Sequence, residues 1–215
     1  MIYQRCWWAI FMASMIISQV AWAQETKWFD GTIVTANEDT VRERLSYDLA
    51  SNVVYTQNET TGRHLVYAAR GILSFFFYDQ ELQRTRVFYS LPYKSTNTTS
   101  TFYLFEAIVE GPISLLGRDY LMEGSDTGIT SPSDRMIIGS VWLQRWNYYY
   151  ITPQTSITPF TVKRREVLEI LDKHRDEVKD FIQEWGLELE FQKDLIKVFE
   201  YYNELEVGSM DGQMN

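Results

Sequence analysis

The hydrophobic period of this chain changes once, near Thr161, and that change dictates two kinds of structure in one molecule. From Trp28 to about Val162 the apolar residues are mostly Tyr, Phe, Trp, Val and Ile. They come in short runs cut by Gly, Asn, Asp, Ser and Pro. Strand side chains alternate between two faces, and β-branched and aromatic residues fit that pleated surface, so each run reads as a strand. The expected strands open with Trp28 to Thr35, Thr40 to Tyr47 and Val53 to Gln57. His64 to Ala69 and Gly71 to Tyr78 follow, either as two strands or as one bent at Gly71. Arg84 to Tyr93, Thr101 to Val109 and Ile113 to Tyr120 come next. After a polar loop over Leu121 to Asp134, the series closes with Met136 to Trp142, Trp146 to Ile151 and Ser156 to Thr161. Strands this closely spaced pair antiparallel with their neighbours, and about nine to eleven of them make a barrel or a sandwich.

Beyond Thr161 the apolar residues recur at three and four. Val167, Leu168, Leu171, Val178, Phe181, Ile182 and Trp185 form one stripe, with Lys, Arg, Asp and Glu opposite. Thr161 suits the N-cap and Gly186 the stop. Phe191, Leu195, Val198, Phe199 and Tyr202 form a second stripe. The fold class is therefore mainly β with α: an antiparallel β domain over 24–161, then a helical hairpin over 162–206 docked on it. Phe181 and Trp185 share a face and should lie in that contact. Residues 207–215 lack any period and read as a disordered tail.

Residues 1–23 read as a signal peptide. Arg5 supplies the positive n-region, Cys6 to Val20 an apolar core too short to span a bilayer, and Ala21-Trp22-Ala23 a small-x-small cleavage site. Cleavage leaves a chain starting at Gln24, secreted or periplasmic. Cys6 is the only cysteine and departs with the leader, which excludes disulfides, thiolate metal sites and cysteine nucleophiles. A cysteine-free exported protein suits a bacterial envelope, where the sequons at Asn58 and Asn97 are only polar turns. The formal charge of −9 repels phosphate backbones and anionic lipid, so nucleic acid is not an expected partner. No later segment is long and apolar enough to span a membrane as a helix.

Chemistry-bearing residues are sparse. His64 and His174 lie in different elements, and a lone histidine lacks the clustered partners of a metal site; His174 reads as a boundary residue of its helix. No Ser-x-x-Lys, Gly-x-Ser-x-Gly, His-Glu-x-x-His or glycine-rich phosphate loop occurs. Glu106 and Glu110 share strand parity, but at about 13 Å along a strand they are too far apart for a glycosidase pair. Glu106 is better read as half-buried and paired with Arg84 or Arg86. Asp119, Glu123, Asp126 and Asp134 make an oxygen-rich stretch that calcium favours, though without EF-hand spacing. No catalytic, cofactor-binding or metal residue is assigned. The aromatic share of 15% is the most unusual feature, concentrated at Phe75 to Tyr78, Phe102 to Phe105 and Trp142 to Tyr150. Consecutive aromatics on a strand cannot all enter one core, so either both faces are covered or one presents aromatics to a partner.

The order of elements resembles that of uncharacterised secreted proteins of Bacteroidota. The matching pieces are Trp28 to Val34, Leu45 to Leu49, Tyr67 to Ile72 running into Phe75 to Asp79, Phe105 to Pro112, and Lys197 to Asn203. The resemblance implies export and a strand-rich body with a helical tail, and it carries no established activity. The leading expectation is a non-enzymatic binding or envelope-associated protein, with an envelope protein or a glycan as partner. A polysaccharide hydrolase using acidic residues and a lipocalin-like carrier are the alternatives. A small outer-membrane barrel is disfavoured by Arg84, Arg86 and Glu106 within the strand runs.

Overall fold

The computed structural model describes residues 27–94, 100–126, 139–154 and 156–211. The leader at 1–23, the Asn97 sequon and Asp134 lie outside them. The described residues form ten strands: β1 (Phe29–Thr35), β2 (Thr40–Asp48), β3 (Val53–Gln57), β4 (His64–Ala68), β5 (Ile72–Asp79), β6 (Arg84–Tyr93), β7 (Thr101–Val109), β8 (Ser114–Asp126), β9 (Gly139–Ile151) and β10 (Thr158–Phe160). They form one antiparallel sheet in the order β10-β9-β8-β7-β6-β5-β1-β2-β3-β4. The chain is thus mainly β with α. The sheet is not closed into a barrel, since β4 and β10 end it, and a sandwich-like arrangement fits.

Gly71 does not bend a single strand. A 3₁₀ turn at Ala69–Gly71 separates β4 from β5, and β5 pairs with β1, not with β4. The stretch read as a polar loop from Leu121 is strand as far as Asp126, and the runs expected at 136–142 and 146–151 are, from Gly139 onward, one strand, residues 136–138 lying outside the described residues. Pairing explains both differences. β8 and β9 run side by side from Ser114 opposite Ile151 to Asp126 opposite Gly139, so their backbone groups are satisfied without an apolar alternation.

The sheet folds over its own apolar face. Ile33, Leu45, Val54, Phe75, Phe77, Phe88 and Leu104, from six different strands, are buried in one cluster. The turn between β2 and β3 secures the fold. β7 pairs with β8 only from Glu106, opposite Gly117, onward. Short of that point, the turn reaches both strands. Leu104 N donates to Asn52 Oδ1 at 3.2 Å. Arg118 donates to Asn52 Oδ1 at 2.9 Å, to the Leu104 carbonyl at 2.7 Å, and to the Leu49 carbonyl. Asn52 has φ 55°, a left-handed conformation that asparagine tolerates.

The helical part consists of α1 (Arg164–Ile170), a 3₁₀ turn at Asp172–His174, α2 (Arg175–Glu184) and α3 (Gln192–Asp211). Thr161 is not the N-cap. That position is Lys163, and the Thr161 hydroxyl instead bonds the Glu166 carboxylate. Gly186, at φ 57°, turns the chain after α2. The disordered tail expected from residue 207 is helical through Asp211. With Val198, Phe199 and Tyr202 anchored below it, each further residue of α3 adds a hydrogen bond for the conformation it fixes. No helix among the described residues is long and apolar enough to cross a membrane.

Strand alternation directs the helices to one face. Val109, Leu115, Tyr148 and Phe160 pack with Val167, Leu171, Val178, Ile182, Leu195 and Phe199. The neighbouring Leu116 and Tyr149 point the other way, into a small cluster with Phe105 and Ile157. Trp185 is not in the docking contact, contrary to expectation. It lies at the C-cap of α2 and is 67% exposed. Phe181 is half-buried and stacks on Tyr201 at 4.1 Å.

Candidate functional site

The two larger cores meet along a charged seam centred on Arg86. Arg84, Arg86 and Phe88 alternate onto the inner face of β6. Arg86 Nη2 bonds Glu106 Oε2 at 2.6 Å, and Arg84 Nη2 lies 2.7 Å from Glu106 Oε1. Asp79 and Asp119 approach Arg86 at 3.5 and 3.6 Å. The Tyr47 hydroxyl accepts from Arg86 Nη1 at 2.7 Å and donates to Asp119 Oδ2 at 3.3 Å. The guanidinium carbon lies 5.0–5.7 Å from the centres of the Phe88, Trp146, Tyr47 and Phe77 rings. Burial opposes the charge on Arg86, but the Glu106 hydrogen bond and charge more than offset it, holding Arg86 above the usual arginine range. Burial pushes the Tyr47 hydroxyl up, against the pull of Arg86. Asp79 also caps its own turn, accepting from Glu81 N and Leu82 N.

This seam joins elements rather than opening to a substrate. The Glu106 side chain has no exposed surface, and both of its oxygens face guanidinium groups. The pairing with both arginines is closer, and the burial deeper, than the half-buried placement expected. Glu110 does not share its face. A register shift between Ala107 and Val109 breaks the parity of β7. Glu110 is exposed and accepts the Tyr89 hydroxyl at 3.0 Å, on the opposite side of the sheet. The two carboxylates, already too far apart along the strand for a glycosidase pair, thus also lie on opposite faces.

The remaining candidates are scattered. His64 is exposed and lies edge-on to Trp28. His174 is mostly buried at the helical boundary, with Nε2 3.0 Å from Glu206 Oε1 and its ring against Tyr202. Asp119 sits in β8 facing Arg86, and Glu123 and Asp126 belong to the same strand, so the expected oxygen-rich loop is strand over 119–126. Among the described residues, no group of three or more His, Cys, Asp or Glu could hold a metal ion. Two hollows, of about 330 and 370 Å³, adjoin β1 and β2. Asp30 and Arg42 line both, with Arg44 and Glu59 in one and Phe76 and Tyr78 in the other. Neither has the smooth apolar lining of a lipophile carrier.

Arg118 carries a role that the sequence reading missed. Its partners are two backbone carbonyls and an asparagine, which leave no charge pattern in the sequence. Its guanidinium lies 5.1 Å from the Tyr103 ring and 5.5 Å from Phe105, and Tyr93 meets Tyr103, Phe105 and Tyr149 edge-on. Burial pulls Arg118 below the usual arginine range and pushes Tyr149 up.

This aromatic group belongs to a longer strip on the outward face. Register places Phe76 beside Val87, Tyr89 beside Phe105, Leu91 beside Tyr103, and Leu116 beside Tyr149. Phe76 is 39% and Tyr78 52% exposed, and Val87, Tyr89, Leu91, Tyr93 and Tyr103 are half-buried. No helical residue joins the cluster on this side. The runs of consecutive aromatics thus divide between a covered inner face and a partly open outer one. No family model matches the chain, and neither the curated proteins nor the solved structures yield a match.

Proposed function

We propose that this chain is an exported, non-catalytic binding protein of a bacterial envelope, holding an envelope protein or a glycan on the outward face of β5 to β9. The observation that carries the reading is the aromatic strip from Phe76 to Tyr149, on the side of the sheet where no described helix packs. Tyrosine and phenylalanine give large contact area with few rotamers to freeze, and tyrosine adds a polar tip. The leader-like residues 1–23 support export. The closed, salt-bridged state of Glu106 favours binding over acid catalysis, and the mixed lining of both hollows favours it over carriage of a lipophile.

The test is co-sedimentation of the purified protein with native envelope particles. Phe76→Ser with Tyr78→Ser removes exposed rings at little cost to folding. Retention should fall at least tenfold at an unchanged melting temperature. Equal retention of the variant, or no retention of the parent, refutes the proposal.

A further inference from the structure

The segment joining α2 to α3 presents aromatics outward from a fixed backbone. Trp185 is 67% and Phe191 53% exposed. The segment is nevertheless anchored, since Leu189 is buried and Leu187 packs against the helical core. Leu187 N donates to Ile182 O at 3.0 Å, Phe191 N to Glu188 O at 3.0 Å, and Glu188 N to Asp194 Oδ2 at 3.3 Å. Behind Trp185 stands Phe181, itself stacked on Tyr201. The exposed rings are therefore held in place before any partner arrives, which lowers the entropy lost on binding.

The charges within the segment have one sign. Between Asp180 and Phe191 the chain carries Asp180, Glu184, Glu188 and Glu190 and no Lys or Arg. All four are exposed, and none forms an ion pair among the described residues. The cations flanking this stretch in sequence are Lys179 and Lys193; Lys193 Nζ lies 5.7 Å from the centre of the Phe191 ring, and the Arg164 guanidinium donates to the Lys179 carbonyl at 3.2 Å. Tryptophan is the strongest aromatic acceptor of a cation, and flanking carboxylates reinforce that preference. Anionic lipid and nucleic acid are repelled by the same charges.

We propose that this segment docks a Lys- or Arg-bearing stretch of a partner protein, one cation resting on Trp185 between the carboxylates. This site is on the helical side and does not depend on the outward sheet face. The test uses the full exported chain, labelled with ¹⁵N, with the Trp185 indole signal assigned from Trp185→Phe. The probe is an octapeptide of alternating Arg and Gly, compared with its Glu–Gly counterpart, chitohexaose and anionic phospholipid vesicles. The Arg peptide alone should move the Trp185 signal. Its Kd should rise at least fivefold in Trp185→Ala and at least tenfold in the triple variant Glu184→Gln, Glu188→Gln, Glu190→Gln. A second triple variant, Glu38→Gln, Glu59→Gln, Glu81→Gln, removes the same charge elsewhere and should bind as the parent does. The proposal is overturned if the Trp185 signal stays still, if both triple variants weaken binding equally, or if chitohexaose or vesicles move the signal instead.

Discussion

Replacing Arg86 with Met is the most severe test of the buried seam. Met fills much of the aliphatic volume and removes only the cation. Three carboxylates then lose a common partner: Glu106 at 2.6 Å, Asp79 at 3.5 Å and Asp119 at 3.6 Å. Glu106 keeps Arg84, and Asp79 keeps its two turn amides, so compensation is partial. Breaking a buried ion pair by removing one partner costs about 3–5 kcal/mol. For a chain of this size each kcal/mol moves the melting temperature by about 2–4 °C, which gives a fall of roughly 6–20 °C. Glu106→Gln should cost less, because Arg86 retains Asp79 and Asp119. The double variant should cost less than the sum of the two, with a coupling of about 1–3 kcal/mol.

The double variant separates this account from a simple packing defect, because a packing defect at Arg86 would add independently to the loss at Glu106. Calorimetry of the parent, both single variants and the double variant is the assay. An Arg86→Met variant melting within about 2 °C of the parent, or costs of the two single variants that simply add, refutes the reasoning.

Phe199, fully buried in the helix–sheet core, should cost about 3–5 kcal/mol as Phe199→Ala and lower the melting of the whole chain in one transition, whereas Trp185→Ala should stay within about 0.5 kcal/mol; calorimetry on both variants checks the docking. Burial pushes the Tyr148 and Tyr202 hydroxyls up to about 12. The folded chain therefore keeps protons that the unfolded chain releases above about pH 10, and stability falls as pH rises from there toward 12. Ultraviolet titration should show these tyrosines ionising only as circular dichroism reports unfolding; early ionisation in an intact fold contradicts the burial argument.

The strands were legible where apolar alternation is sharp. β3, β6 and β7 begin and end at the residues that the pattern marks. The outer part of the β8–β9 pair was not, because Glu123, Gly124, Ser125 and Asp126 have loop composition and are strand only through their partner. That Glu106 pairs with arginine was readable from a carboxylate set among apolar neighbours. That Glu110 leaves its face was not, since the register shift beside Ile108 has no sequence mark. Periodicity placed Phe181 beside Trp185 correctly, at 6.1 Å. It could not show that α2 ends at Glu184, leaving the tryptophan at the turn toward α3.

The turn at Leu49–Asn52 has a consequence for the order in which the molecule can form. Its seat is made by Leu104 and Arg118, 52 and 66 residues further along than Asn52. A chain emerging N-terminus first can pair β1 with β2 and β2 with β3 early, because those contacts are local. It cannot fasten the folded-over sheet until β8 has been delivered. Until then the apolar cluster of β1 to β7 lacks the bonds that tie its turn to β8, and the loop closed by Arg118 is long enough to make this a slow step. The residue that completes the fold is thus a late arrival, and a chain halted before it would hold its first core without that fastening.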